Sequence, residues 1–167
     1  KVHGASFAGP WLYLRSANDA PRFKLLRLPI EGSLADAQSV VDPSDRVLTG
    51  FVAARDGVYV TRRDGVVEGL ERVTHDRIPQ LARIRLPVEG TVGLARADPE
   101  QDGAIVTLGG WTRRSRHYEV DGSTVRPLAL VPASRFDAPD GIEAREIKVA
   151  SHDGVEVPAS IVMATGT

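Results

Sequence analysis

Apolar residues along the chain alternate with polar ones over short runs and seldom recur at the three-to-four-residue spacing of a helix. Trp11-Leu-Tyr-Leu-Arg15, Gly57-Val-Tyr-Val-Thr61 and Ala104-Ile-Val-Thr-Leu108 are three such runs, rich in β-branched and aromatic side chains. A second set follows them: Lys24-Leu-Leu-Arg-Leu28, Gly69-Leu-Glu-Arg-Val73 and Arg116-His-Tyr-Glu-Val120. Tyr13 and Tyr59 lie 46 residues apart, Tyr59 and Val106 47, Leu28 and Val73 45, and Val73 and Val120 47. Two independent rows thus keep one period, which marks a repeated structural unit. A rival spacing of 58, between Arg27-Leu-Pro-Ile-Glu-Gly32 and Arg85-Leu-Pro-Val-Glu-Gly90, occurs as one pair and reads as two strand ends with similar turn chemistry.

A repeat of that length, punctuated by Asp-Gly, Glu-Gly and Pro turns, suits a four-stranded propeller blade. The pattern predicts an all-β fold: about three four-stranded β-propeller blades forming an open arc of a larger propeller, followed by a β-hairpin. In the middle unit, strands are expected near Thr49 to Ala54, Gly57 to Arg62, Val66 to Thr74 and Leu81 to Val88. The third unit runs from Thr91 to about Val131, and the first is expected to be cut off before Trp11. Blades then occupy residues 1–132, a Pro- and Gly-bearing linker residues 133–144, and a different element residues 145–167. Within the last, EIKVASHDGVEVPASIVM from Glu146 to Met163 places two alternating runs around Asp153-Gly154, the signal of a two-residue hairpin turn. The second run, Val155 to Met163, is apolar enough to need covering, by blade edges or by another copy of the chain.

Composition narrows the partners. Hydrophobic residues at 42% and charged residues at 26% are sufficient for a packed core. A net charge of -1 with dispersed Lys and Arg provides no field for gathering phosphate, so nucleic acid is not expected. No apolar run approaches the roughly 18 residues of a membrane span, so a soluble segment with no membrane partner is expected. With zero Cys there are no disulfides or thiolate metal sites, which suits cytoplasm and periplasm alike. Lys1 is not an initiator Met and no signal-peptide pattern follows it, so the N-terminus reads as cut.

Candidate chemistry is sparse. Gly4-Ala-Ser-Phe-Ala-Gly9 superficially matches a G-x-S-x-G nucleophile elbow, but Ala8 stands at the second glycine position, so Ser6 is read as part of a strand-edge turn. His3, His75, His117 and His152 have neither i, i+4 partners nor flanking ligands, and His75-Asp76 and His152-Asp153 read as solvated turns. Asp98-Pro-Glu-Gln-Asp-Gly103 lacks the alternate spacing of a calcium loop and reads as a turn. Trp111, Arg113, Arg114 and Arg116 set an aromatic beside three cations. They read first as a solvated bulge between two strands, bent by Gly109-Gly110, and second as a contact patch for an anionic peptide group. No catalytic, cofactor or metal residue is expected.

The order of elements carries a resemblance. Asn18-Asp-Ala-Pro21 with Phe23-Lys-Leu-Leu-Arg27, then Ile84-Arg-Leu-Pro-Val-Glu-Gly-Thr-Val92, then Ser151-His-Asp-Gly-Val-Glu-Val-Pro158 are similar to stretches of the prolyl oligopeptidase family of serine peptidases. From Trp11 to Gly166 the chain resembles the end of that family's propeller and the re-entry into its hydrolase domain. The last stretch is similar to the S-x-D-G-x-x-V-P segment at which the catalytic domain starts. The resemblance implies a parent enzyme in which a propeller caps an α/β-hydrolase domain and restricts access to short peptides. Its partners would be the remaining propeller, the hydrolase domain and peptide substrates, with no cofactor. In the family the nucleophile, acid and histidine lie downstream of the position matching Pro158, so no residue here receives those roles. Two other functions stay open: a ligand- or protein-binding propeller module with no enzymatic role, and a self-associating assembly.

Overall fold

The structure, a computed structural model, describes residues 1–166. Twelve strands form three four-stranded antiparallel sheets in sequence order. Blade 1 holds β1 (Val2–Ala8), β2 (Trp11–Ser16), β3 (Lys24–Pro29) and β4 (Gln38–Val41). Blade 2 holds β5 (Val47–Ala54), β6 (Gly57–Asp64), β7 (Val67–Val73) and β8 (Leu81–Ile84). Blade 3 holds β9 (Thr91–Ala97), β10 (Ala104–Gly110), β11 (Arg113–Asp121) and β12 (Thr124–Pro127). A separate two-stranded sheet follows, β13 (Ile142–Ala150) with β14 (Glu156–Ala164). The open arc and hairpin match the expected architecture, with two adjustments at its ends.

The first unit is not cut off before Trp11. β1 pairs with β2 from Ala8↔Trp11 to Val2↔Ser16 and completes the blade. Gly4 and Ser6 dilute the apolar alternation of Val-His-Gly-Ala-Ser-Phe-Ala, so this strand is defined by its neighbour more than by its own pattern. The hairpin is also built differently from expectation. Its strands stop at Ala150↔Glu156, leaving a five-residue connection where Asp153-Gly154 had predicted two. The Asp153 carboxylate accepts from the Val155 amide at 3.1 Å, and the Ser151 and Val155 backbones close the loop at 2.8 Å. This side-chain-to-backbone bond competes with a tight turn for the same residues.

Three blades make two interfaces, and blade 2 stands in both. One core joins Tyr13, Leu25 and Val41 of blade 1 to Leu48, Val58, Val60 and Val73 of blade 2. The other joins Tyr59 and Leu70 of blade 2 to Val92, Val106, Leu108 and Val120 of blade 3. Successive side chains of a strand point to opposite faces, so Val58 and Val60 fill the first core while Tyr59 fills the second. That is why residues 57–61 are buried without interruption, whereas β10 alternates.

Polar pins close each seam at one end of the blades. Between blades 1 and 2, the guanidinium of Arg27, 1% exposed, lies 4.1 Å over the Trp11 ring. It donates to the carbonyls of His75 at 3.1 Å, Asp76 at 2.8 Å and Arg77 at 3.3 Å. His75 is therefore not the solvated turn residue its local sequence predicts. It is half-buried, with Nδ1 2.7 Å from the Tyr13 hydroxyl and Nε2 2.7 Å from the Ala54 carbonyl. Those partners lie 62 and 21 residues away, outside any turn motif.

Between blades 2 and 3, Asp56 accepts from the Tyr59 hydroxyl at 2.8 Å, Arg72 at 2.6 Å and the Gly103 amide at 2.9 Å. Arg55 forks onto Asp102 with bonds of 2.9 and 2.8 Å. The stretch from Asp98 to Gly103 is the expected turn, and Asp102 within it serves this seam. Burial pushes the Asp56 carboxyl up, but the three donors outweigh it and hold it below the ordinary carboxylate value. Its stability contribution is therefore complete above an unfolded pKa of about 4 and is lost as pH falls through the lower folded value. Asp56→Asn is expected to cost about 1.5–3 kcal/mol near neutrality, read as a lower urea midpoint, with the deficit closing in strong acid. A deficit that persists undiminished in strong acid would assign the loss to shape and not to charge.

Candidate functional site

An antiparallel meander sends alternate loops to opposite ends of a blade. The pins just described gather at one end. The turns Gly65-Val66 and Trp111-Thr112 and the segment from Arg85 to Gly90 gather at the other, where the Glu68 amide donates to the Gly90 carbonyl at 2.8 Å. Gly65 makes its turn with φ +60°, the left-handed conformation that a two-residue hairpin favours. The hairpin β13–β14 sits over this second end, with Glu146 against Gly65. Between hairpin and blades lies a cavity of about 640 Å³ lined by Val66, Pro87, Val88, Trp111, Arg113 and Glu146, among others.

The pairing of β13 with β14 gives the hairpin two unlike faces. Ala144, Glu146 and Ser160 line the cavity, and Glu146 pairs with Ser160. One residue out of step, Ile147 pairs with Ala159, Val149 with Val157, and Arg145 with Ile161. The side chains of Ile147, Val149, Val157 and Ile161 point the other way and form an apolar face directed away from the cavity, while Arg145, ion-paired with Glu143 at 2.6 Å, also lines the cavity. All four are exposed, at 37–47%. The burial that the second run requires is not supplied by pairing with a blade edge; β14 pairs with β13 among the described strands.

The patch of Trp111, Arg113, Arg114 and Arg116 is divided by the structure. The pairing of β10 with β11 slips between Leu108 and Gly110, so the predicted bulge is present. Trp111, 67% exposed, and Arg113 face the cavity. Arg114 and Arg116 turn instead to the segment after β12, where both pair with the Asp137 carboxylate, Arg114 at 3.6 Å. Arg116 also donates to the Val131 carbonyl at 3.1 Å, and the Ser134 amide donates to Asp137 at 2.6 Å. The Ser134 amide, followed by Arg116 and Arg114, holds the Asp137 carboxyl below its ordinary value. Asp137 was missed in the sequence because it lies within a stretch of linker composition. The only available signal was an Asp three residues after a Ser, the spacing of a local capping turn.

The remaining candidates carry no assembled chemistry. Ser6 lies within β1 opposite Tyr13, neither on a turn nor at a strand-to-helix elbow. His3 packs edge-on against Phe23 at 5.1 Å, His117 lies in β11, and His152 is exposed beside Ser151. Among the described residues, no three His, Asp or Glu side chains are grouped to hold a metal ion.

No family model and no curated protein sequence matches the chain. Solved structures do. A structure from work on two prolyl endopeptidases superposes with a TM-score of 0.81 at 17% identity, covering 99% of this chain and 24% of that one. Oligopeptidase B from Leishmania major gives 0.81 at 14% identity, with 99% and 25% covered. The apo prolyl oligopeptidase B of Galerina marginata gives 0.76 at 16%, with 99% and 24% covered. The chain thus spans about a quarter of the length of these proteins.

Replacing Asp137 with Ala frees two arginines and the Ser134 amide, and is expected to speed proteolytic nicking between residues 128 and 141 while leaving the blades intact. Trp111→Ala, at an exposed turn, is expected to change stability by no more than about 0.5 kcal/mol in urea denaturation. Superposition over nearly the whole chain, at identities of 14–17%, establishes a shared fold: three propeller blades and a hairpin built like part of these peptidase chains.

Proposed function

We propose that this chain is the non-catalytic propeller segment of a prolyl-oligopeptidase-like serine peptidase, and that it restricts entry to short peptides. On this reading residues 1–132 are blades, 133–144 a linker, and 145–167 the opening strands of an α/β-hydrolase domain. β13 begins within the linker, at Ile142. The observation that carries the reading is the two-faced hairpin: a polar, small-residue face over the blades, and an apolar face of Ile147, Val149, Val157 and Ile161 with no covering layer. An apolar strand pair of that kind is how a larger sheet starts, since a sheet must bury one face against another layer. The fold likeness supports the same assignment, and one similar structure, a prolyl oligopeptidase B from Galerina marginata, is bound to a 35mer hydrolysis and macrocyclization substrate. The remaining blades and the hydrolase domain would be the partners, and peptide the substrate of the whole enzyme. Trp111 and Arg113, on the cavity wall facing the hairpin, would be the part of this segment that meets a peptide.

The chain itself is expected to show no turnover of a proline-containing chromogenic peptide. Its encoding frame past Thr167 is expected to continue for a few hundred residues and to contain G-x-S-x-G, then Asp, then His. Activity of the isolated chain that a serine-directed inhibitor abolishes would overturn the assignment. An early stop or further blades would favour a second reading, a binding propeller without enzymatic role. That reading has its own support in Trp111, 67% exposed on a cavity wall beside Arg113, which has no ion-pair or hydrogen-bond partner among the described residues.

A further inference from the structure

The two seams are pinned by different chemistry, and the difference has a direction in pH. At the seam between blades 2 and 3 the pins are ion pairs and carboxylate bonds: Asp56 with Arg72, Tyr59 and the Gly103 amide, and Arg55 with Asp102. Both carboxyls are held below their ordinary values, Asp56 by donors that outweigh its burial and Asp102 chiefly by Arg55. These pins survive mild acid. At the seam between blades 1 and 2 the His75 ring bridges the blades, bonded to the Tyr13 hydroxyl on one side and the Ala54 carbonyl on the other.

The bonding of that ring fixes its proton. A carbonyl oxygen only accepts, so Nε2, 2.7 Å from the Ala54 carbonyl, carries hydrogen. In the neutral ring Nδ1 is then the acceptor, and the Tyr13 hydroxyl at 2.7 Å donates to it. Burial raises the Tyr13 pKa, against a smaller opposing pull from Arg27, so the phenol keeps the hydrogen it donates. A proton arriving on Nδ1 removes this acceptor. It also sets a second cation beside the buried Arg27, whose guanidinium grips the carbonyl of His75 itself. No carboxylate offsets that charge through a hydrogen bond to the ring. The groups facing it are Tyr13 from β2, Arg27 from β3 and the Ala54 carbonyl from β5. Asp76 and Arg77 beside it in its own loop are exposed, and Asp56 after β5 is engaged by Tyr59 and Arg72.

We propose that His75 is an acid-sensitive latch: its protonation loosens the seam between blades 1 and 2 while the seam between blades 2 and 3 stays closed. The arc then opens at one defined joint. This inference stands on the bonding of the described residues and is independent of the peptidase assignment.

Amide hydrogen exchange of the 167-residue chain tests it, with rates corrected for the intrinsic effect of pH. Between about pH 7.5 and about pH 5.5, protection of residues 24–29 and 74–80 is expected to fall about fivefold, the size of one lost hydrogen bond. Protection of the Arg55 and Gly103 amides, which cross the other seam to the Gln101 carbonyl and the Asp56 carboxylate, is expected to stay constant. His75→Gln keeps a donor for Ala54 and an acceptor for Tyr13 but takes up no proton, and is expected to abolish the pH dependence. Equal loss at both seams, no loss at either, or the same loss in His75→Gln overturns the proposal. If the variant does not fold, the contrast between seams in the wild-type chain decides the matter.

Discussion

Burial of blade 2 on both faces is the constraint from which the rest of the structure follows. A four-stranded sheet with one covered face can alternate apolar and polar residues; a sheet between two neighbours cannot. Val58, Tyr59, Val60, Leu70 and Val73 are all fully buried because successive residues serve two different cores. Each such side chain contributes about 1.5–3 kcal/mol relative to exposure, so no single ion pair at a seam rivals the stacking itself. What the polar pins add is register. They determine which loop of one blade meets which loop of the next, in an interface whose apolar packing is less particular.

The two ends of the arc then take different roles. At one end the seams are stitched by long-range side-chain bonds: Arg27 with the carbonyls after β7, and Asp56 with the amide before β10. At the other end the seams are crossed by the Leu48 amide on the Arg22 carbonyl, the Arg15 guanidinium on the Thr49 carbonyl and the Val92 amide on Glu68, and the hairpin leaves a cavity with Trp111 on its wall.

The hairpin belongs to a different packing problem from the blades. Its cavity-facing residues are small or charged, so little apolar area is buried against the arc. Its other face carries the β-branched residues that a sheet interior uses. A strand pair arranged in this way leaves its apolar face exposed among the described residues, which is why the peptidase reading rests on it more than on any single blade residue.

The sequence by itself determined what depends on local period. Alternation located ten of the fourteen blade and hairpin strands, the 45-to-47-residue spacing ordered them into units, and the Gly109-Gly110 pair signalled the bulge. Strand β1 was hidden because its residues are small, and a strand whose partner does most of the specifying has little pattern of its own. Only the tertiary structure decided which charged and polar side chains matter. His75, Asp137 and Arg114 owe their roles to partners that approach through folding, and at those positions the local sequence reads as turn or solvated surface. Periodicity is a property of neighbours along the chain, whereas a hydrogen bond is a property of neighbours in space, and the two coincide only inside a strand.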